Sequence, residues 1–192
     1  MQVLDNIFPI RLVDEIERAM LHVDTPWQYA NQTYGRDKQL RKGEVEEPQL
    51  VHAAFFEGDG TYLWPLLSVP LYFIEKEIGR KIVNIQRCKV NTLMHTPLSK
   101  ETDNHPIHAD RHEQGWHSII YYVTEGDSPT VFTDSVYPNL ENPESAYNIV
   151  ERVQPKKGRV VIFPSDIYHS SSPTQLSKRI AANYVVKFEE EK

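Results

Sequence analysis

Four residues of this chain have the types and the spacing to do chemistry together: His108, Asp110, His169 and Arg179. In an extended segment, residues i and i+2 point the same way, so His108 and Asp110 can approach one ion while Ala109 faces away. A second histidine brought in from a distant strand completes a facial set of two imidazoles and one carboxylate. Such a set leaves half of an octahedral iron's coordination sphere open to small molecules. Arg179 follows His169 by ten residues and opens a β-prone run in which Arg179, Ala181, Asn183 and Val185 share one face. A guanidinium facing a barrel interior is expensive without an anion. The far carboxylate of a bound dicarboxylic acid would supply one through two parallel hydrogen bonds. The plainer readings are a chance H-x-D and a strand-end arginine that faces solvent or pairs with a protein carboxylate.

Holding these four residues together needs a closed β fold, and the chain after Gly79 has that texture. Short β-prone runs cover 82–85, 117–123, 130–133, 148–153, 159–163 and 180–188, punctuated by Gly, Pro, Asn and Asp. Strands without intervening helices suggest a sandwich or double-sheet barrel, not a parallel βαβ sheet. Ahead of them, Leu12, Ile16, Ala19, Met20 and Val23 recur at helical spacing behind Pro9, which predicts an amphipathic helix over 9–22. A second helix is expected from Ser68 and Pro70 to Gly79. The order is helices first, strands second. The fold class is α+β: one domain over 1–192, with a helical part at about 1–80 and a β core at about 81–188. Asn31 to Pro48 and Thr96 to Asn104 are expected to be loops, the second placed to gate substrate access.

Composition narrows the partners. With 21 Lys and Arg against 27 Asp and Glu, a net charge of −6 argues against a broad phosphate-binding surface, so nucleic acid is a poor partner. A local basic groove is still allowed. The residues from Met1 to Asn6 lack the basic-then-apolar order of a signal peptide, and no apolar run reaches the roughly 20 residues of a membrane span. Cys88 is the only cysteine, which fits a reducing, cytoplasmic setting. It is expected to be a buried strand residue with no activating base.

The segments HPIHAD, GRVVIFPSDIYHSSSP and KRIAANYVV resemble the core of the Fe(II)/2-oxoglutarate-dependent dioxygenases. The ten-residue step from distal histidine to arginine, and the opening VLDNIFPIRLVDEI, are similar to the prolyl 4-hydroxylase-like branch. The resemblance implies a double-stranded β-helix (jelly-roll, cupin-like) core with N-terminal flanking helices. It implies that His108, Asp110 and His169 hold Fe(II) and that Arg179 binds the distal carboxylate of 2-oxoglutarate. O2 is then the second cosubstrate, with ascorbate as an accessory. The implied reaction hydroxylates a small-molecule or peptide substrate, a prolyl residue or a small amino acid. One departure stands out: where many relatives carry Gly-Gly-x-Thr, the stretch from Tyr121 to Thr130 keeps only Gly126 and Thr130 of that pattern.

Two further residues are assigned to the cosubstrate pocket, each with a structural role as its rival. Asn91 shares a strand face with Arg87, and an equivalent polar group contacts the cosubstrate in similar enzymes. Of the adjacent Tyr121 and Tyr122 one must face inward, and Tyr121 is taken as that residue. His112 and Trp116 are pocket-rim candidates, while His105 and His117 crowd the motif without helical spacing. A cupin-like metalloenzyme that does not use 2-oxoglutarate, and a non-catalytic β-barrel binding module, are the competing functions.

Overall fold

Side chains that alternate between two environments along the chain turn most of this protein into sheet. The computed structural model describes residues 1–32, 40–96, 100, 103–142, 144–175 and 178–190. Its elements are β1 (Gln2–Leu4), α1 (Ile10–Met20), β2 (Gln28–Ala30), β3 (Gln49–Phe56), β4 (Asp59–Gly60), α2 (Trp64–Ile78) and β5 (Ile82–Met94). They continue with β6 (Trp116–Tyr122), β7 (Thr130–Val136), β8 (Ile149–Val153), β9 (Val160–Pro164), β10 (Ile167–Ser171) and β11 (Lys178–Phe188). The larger sheet runs β1-β9-β6-β11-β5-β3-β2, with β4 folded back on β3, and the smaller runs β10-β7-β8. Among the described residues every pairing between these strands is antiparallel. This is a double-stranded β-helix core with two helices on its outer side.

The two faces of the larger sheet are chemically different. On one, Ile119, Tyr121, Val160, Ile162, Ile180, Ala182, Tyr184 and Val186 pack with Ile16 and Met20 of α1 and Leu67, Leu71 and Ile74 of α2. On the other, Ile120, Tyr122, Phe163 and Ala181 meet Phe132 of β7 and Val153 of β8, so this second cluster lies between the sheets. Helix α1 is clamped at its polar edge by Lys157, whose ammonium donates to Asp14 at 2.7 Å and Glu17 at 2.5 Å. Beside it Gly158 has φ +78°, and a Cβ there would lie 3.3 Å from Val13. The glycine lets backbone and helix meet that closely.

The N-terminal part differs from its expected helical character: four strands, β1 to β4, lie within the first 60 residues. The longest, β3, hid because its buried positions include Gln49 and His52. Both are satisfied by specific partners: Gln49 donates to the Gln32 carbonyl at 3.0 Å, and His52 Nδ1 donates to the Pro26 carbonyl at 3.3 Å. Helix α2 also begins before Ser68. Pro65 sits in its first turn, where a missing N–H costs nothing, and Pro70 is carried inside the helix. Its end at Gly79, φ 69°, is the left-handed cap expected of glycine. Parts of both expected loops, at 33–39, 97–99 and 101–102, fall outside the described residues. Among the described residues no helix is long and apolar enough to cross a membrane.

Ile16 is fully buried between α1 and the sheet. Its replacement by alanine is expected to lower stability by roughly 2–5 kcal/mol, read as a shift in the urea midpoint. Cys88 is buried on the same side, and burial pushes its thiol above the ordinary value. A thiol reagent at pH 8 should leave the native protein unmodified and label it fully in denaturant.

Candidate metal centre

The segment that carries His108 runs antiparallel along the outer edge of β10 instead of joining the smaller sheet as a full strand. His108 and His169 form an isolated antiparallel bridge, donating to each other's carbonyls at 2.9 and 2.8 Å. Two residues on, the Asp110 amide donates to the Ser165 carbonyl at 3.0 Å, in the turn between β9 and β10. The Phe-Pro-Ser-Asp turn thus orients the distal histidine and anchors the carboxylate's backbone at once.

Both imidazoles are oriented by the same local device. Nδ1 of His108 lies 3.0 Å from the carbonyl of Pro106, and Nδ1 of His169 lies 3.0 Å from that of Ile167. A carbonyl only accepts, so each Nδ1 carries a proton and Nε2 is left as the nitrogen to ligate a metal, that of His169 lying 3.4 Å from Asp110 Oδ2. One ligand atom from each of His108, Asp110 and His169 falls within 4.8 Å of the others, as metal donors must. The His169 ring sits edge-to-face with Phe163 at 4.6 Å and stacks against Phe132 at 6.0 Å, which keeps it dry on that side.

Asp110 is held harder than an ordinary ligand. Its side chain is 2% exposed, and Arg87 forms an ion pair with Oδ1. Ser118 Oγ donates to Oδ2 at 2.6 Å and Asn183 Nδ2 at 3.1 Å. Burial alone would raise the carboxyl, but His169, Arg87 and His108 hold it well below the usual carboxylate range. It is ionised at neutral pH. The donor set, two imidazoles and a fixed carboxylate, fits a divalent ion of the Fe(II) type.

Arg179 is 5% exposed, and no carboxylate among the described residues pairs with it. Its Nη2 donates to Thr130 Oγ1 at 2.9 Å, while Nε has no partner. The Tyr122 hydroxyl donates to the Val153 carbonyl at 3.2 Å, so the Thr130 hydroxyl donates to Tyr122 at 2.6 Å and accepts from the arginine. Burial pushes the guanidinium below its ordinary value, though it stays charged. Arg179 lines a cleft of about 170 Å³ together with His108, Asp110, Asn91, Arg87 and Lys89. The buried Oδ1 of Asn91 is also unpaired.

One sequence assignment points away from the cleft. Tyr121 faces the helices, its ring 5.4 Å from Phe8 and edge-on to it. Tyr122 is the inward tyrosine, with the Arg179 guanidinium 5.3 Å over its ring. Alternation in the sequence requires that one of the two face in. Which one is decided by the pairing of β6 with β11 and by the cover of α1. His112 stacks on Tyr137 at 3.6 Å, and Trp116 lines a separate cleft with Arg111, so neither rims this pocket. His105 does line it, with Nε2 2.9 Å from Glu47 and Nδ1 2.8 Å from Ser171 Oγ. The Asp110 partners Arg87, Ser118 and Asn183 and the Arg179 partner Thr130 are roles that sequence reasoning did not assign. Strand alternation groups Arg87 with Asn91 and Arg179 with Asn183, but it does not say which strands meet.

No protein-family model and no curated protein matches the chain. Solved structures do match it. A prolyl hydroxylase from Trichoplax adhaerens, in complex with a hypoxia inducible factor oxygen degradation domain peptide fragment, aligns with a TM-score of 0.62 and 14% identity over 97% of this chain and 82% of that one. An oxidoreductase of the 2OG-Fe(II) oxygenase family from Burkholderia pseudomallei gives 0.60 and 13% over 96% and 84%. A non-heme alpha ketoglutarate dependent carbocyclase from nogalamycin biosynthesis gives 0.62 and 12% over 96% and 78%. The chain has the fold of the 2-oxoglutarate/Fe(II) oxygenases.

Because Arg87 fixes the charge and direction of the Asp110 carboxylate, Arg87→Met should weaken divalent-metal binding by roughly 10–100-fold. Competition with a fluorescent chelator measures this, with the far-ultraviolet dichroism unchanged.

Proposed function

We propose that the protein is a 2-oxoglutarate-dependent Fe(II) oxygenase that hydroxylates a C–H bond of a peptide or small-molecule substrate. The carrying observation is Arg179, a buried cation without a carboxylate partner among the described residues, in the same cleft as His108 and Asp110, whose ligand atoms cluster with that of His169. His108 and His169 would ligate through Nε2, and Asp110 would supply the third donor while Arg87, Ser118 and Asn183 hold it in place. Fe(II) bound there would supply the one-electron chemistry that couples O2 reduction and decarboxylation of 2-oxoglutarate to hydroxylation. Arg179 would receive the far carboxylate through paired N–H donors, which fixes the reach and direction of the cosubstrate. Thr130 and Tyr122 keep the guanidinium aimed into the cleft. Asn91 would place its amide against the same cosubstrate, and Phe132 and Phe163 keep water from the His169 side.

The fold alone does not choose a substrate, since its solved neighbours include a prolyl hydroxylase and a carbocyclase. A prolyl residue and a small amino acid are the two substrate classes proposed, in a cytoplasmic setting. Of the competing readings, a cupin-like enzyme without a diacid cosubstrate has no use for an unpaired Arg179.

Anaerobic protein with Fe(II) and 2-oxoglutarate should develop a weak visible charge-transfer band and, in air, release succinate. Arg179→Met should weaken 2-oxoglutarate binding by at least tenfold with metal affinity retained, as expected for loss of a charge-assisted pair of hydrogen bonds. Neither band nor succinate from the unaltered protein would refute the oxygenase.

A further inference from the structure

The cleft holds more positive charge than the proposed chemistry uses. Among the described residues its lining has three cations, Arg87, Lys89 and Arg179, against one carboxylate, Asp110. Arg87 is committed to Asp110, and Arg179 is the anchor for 2-oxoglutarate. A divalent ion and a dianion cancel each other, so their arrival leaves this excess where it was. Lys89 is the cation without a task.

Strand β5 puts Lys89 there by simple alternation. Cys88 and Val90 enter the helix-side core, while Arg87, Lys89 and Asn91 face the cleft. The cross-strand neighbours of Lys89 are Asn183 on one side and Ala53 on the other, one neutral and one small, so neither offers a counter-charge. No hydrogen bond or ion pair reaches its ammonium among the described residues. Burial and the adjacent Arg87 push its pKa below the ordinary lysine value, and the charge that opposes them is Asp110, which Arg87 already contacts. Arg179 stands opposite Leu93, whereas Lys89 stands opposite Asn183, four residues along β11. At about 3.3 Å per residue the two cations are rooted roughly 13 Å apart along the strand. Along β5, Lys89 stands between Arg87, which holds Asp110, and the position opposite Arg179.

We infer that Lys89 is the docking point for a carboxylate of the primary substrate, beside the Asp110 donor and four residues along the strand from Arg179. The inference rests on the oxygenase reading and narrows its substrate to an anionic one. The carboxylate can come from a free amino acid or from an acidic residue in a peptide. In either case it directs a C–H bond near that group toward the open side of the metal donors. A lone ammonium suits this use, since it binds as a point charge without imposing the planar geometry of a guanidinium.

The test is calorimetric binding to protein loaded anaerobically with Fe(II) and 2-oxoglutarate. The probes are free amino acids against their carboxamides, and Glu-containing blocked peptides against their Gln counterparts. The unaltered protein should bind a carboxylate probe at least tenfold more tightly than its amide, and the pair that shows this identifies the source. Lys89→Met should erase that preference and Lys89→Arg should keep it, while 2-oxoglutarate binds Lys89→Met as it binds the unaltered protein. The inference is overturned if no carboxylate in the panel outbinds its amide, or if the preference survives Lys89→Met. It is also overturned if Lys89→Met weakens 2-oxoglutarate binding, which would assign the lysine to the cosubstrate. Failure of 2-oxoglutarate to bind the unaltered protein would sink the oxygenase reading instead. The probe series repeated with Fe(II) alone would then still decide the role of Lys89.

Discussion

The ionised carboxylate of Asp110 is buried, and three adjacent strands of the larger sheet are needed to keep it so. Arg87 on β5, Ser118 on β6 and Asn183 on β11 each contribute one donor. Val185 stands opposite both Ser118 and Arg87, so these two donors flank a single row across β6, β11 and β5, with Asn183 one step along. A one-residue slip of any of these strands would turn its donor to the helix side of the sheet. The buried charge would then lack compensation, which costs several kcal/mol. The metal donors are therefore only as well placed as the register of β5, β6 and β11.

That register is fixed on the opposite face. Cys88 and Val90, Ile119 and Tyr121, and Ile180, Ala182, Tyr184 and Val186 alternate with the site residues and lock against α1 and α2. The Tyr184 hydroxyl donates to the Leu67 carbonyl of α2 at 2.7 Å, a directional tie within an otherwise apolar contact. The helices touch no metal donor, yet their packing holds the strands in phase. The chemistry on one face of the sheet and the stability on the other are two readings of one period-2 pattern.

This division explains what could be read from sequence. The H-x-D pair, the distal histidine and the arginine at ten residues are local patterns; the structure clusters the first three, and Arg179 lines a cleft with His108 and Asp110. The α+β class and a β-rich core after residue 80 were legible for the same reason, in uninterrupted apolar alternation. Strand β3 was not, because Gln49 and His52 occupy its buried positions and are satisfied by partners distant in sequence. The choice between Tyr121 and Tyr122 was not legible either. Alternation gives a strand two faces, but only the partner strand and the covering helix say which face is which.

The same limit governs the charges of the cleft. Arg87 and Lys89 are both cations on one face of one strand, and nothing in their local sequence separates them. Their surroundings do. Arg87 lies in the row that ends at Asp110, and its charge is neutralised within the protein. Lys89 lies one step along, opposite Asn183, whose amide is already turned toward Asp110. Arg179 is a further case, set beside a hydroxyl relay that can aim a guanidinium but cannot neutralise it. A folded chain keeps such uncompensated charge near the metal donors at a cost in stability. An anionic ligand recovers that cost when it binds, so affinity for anions is built into the strands themselves.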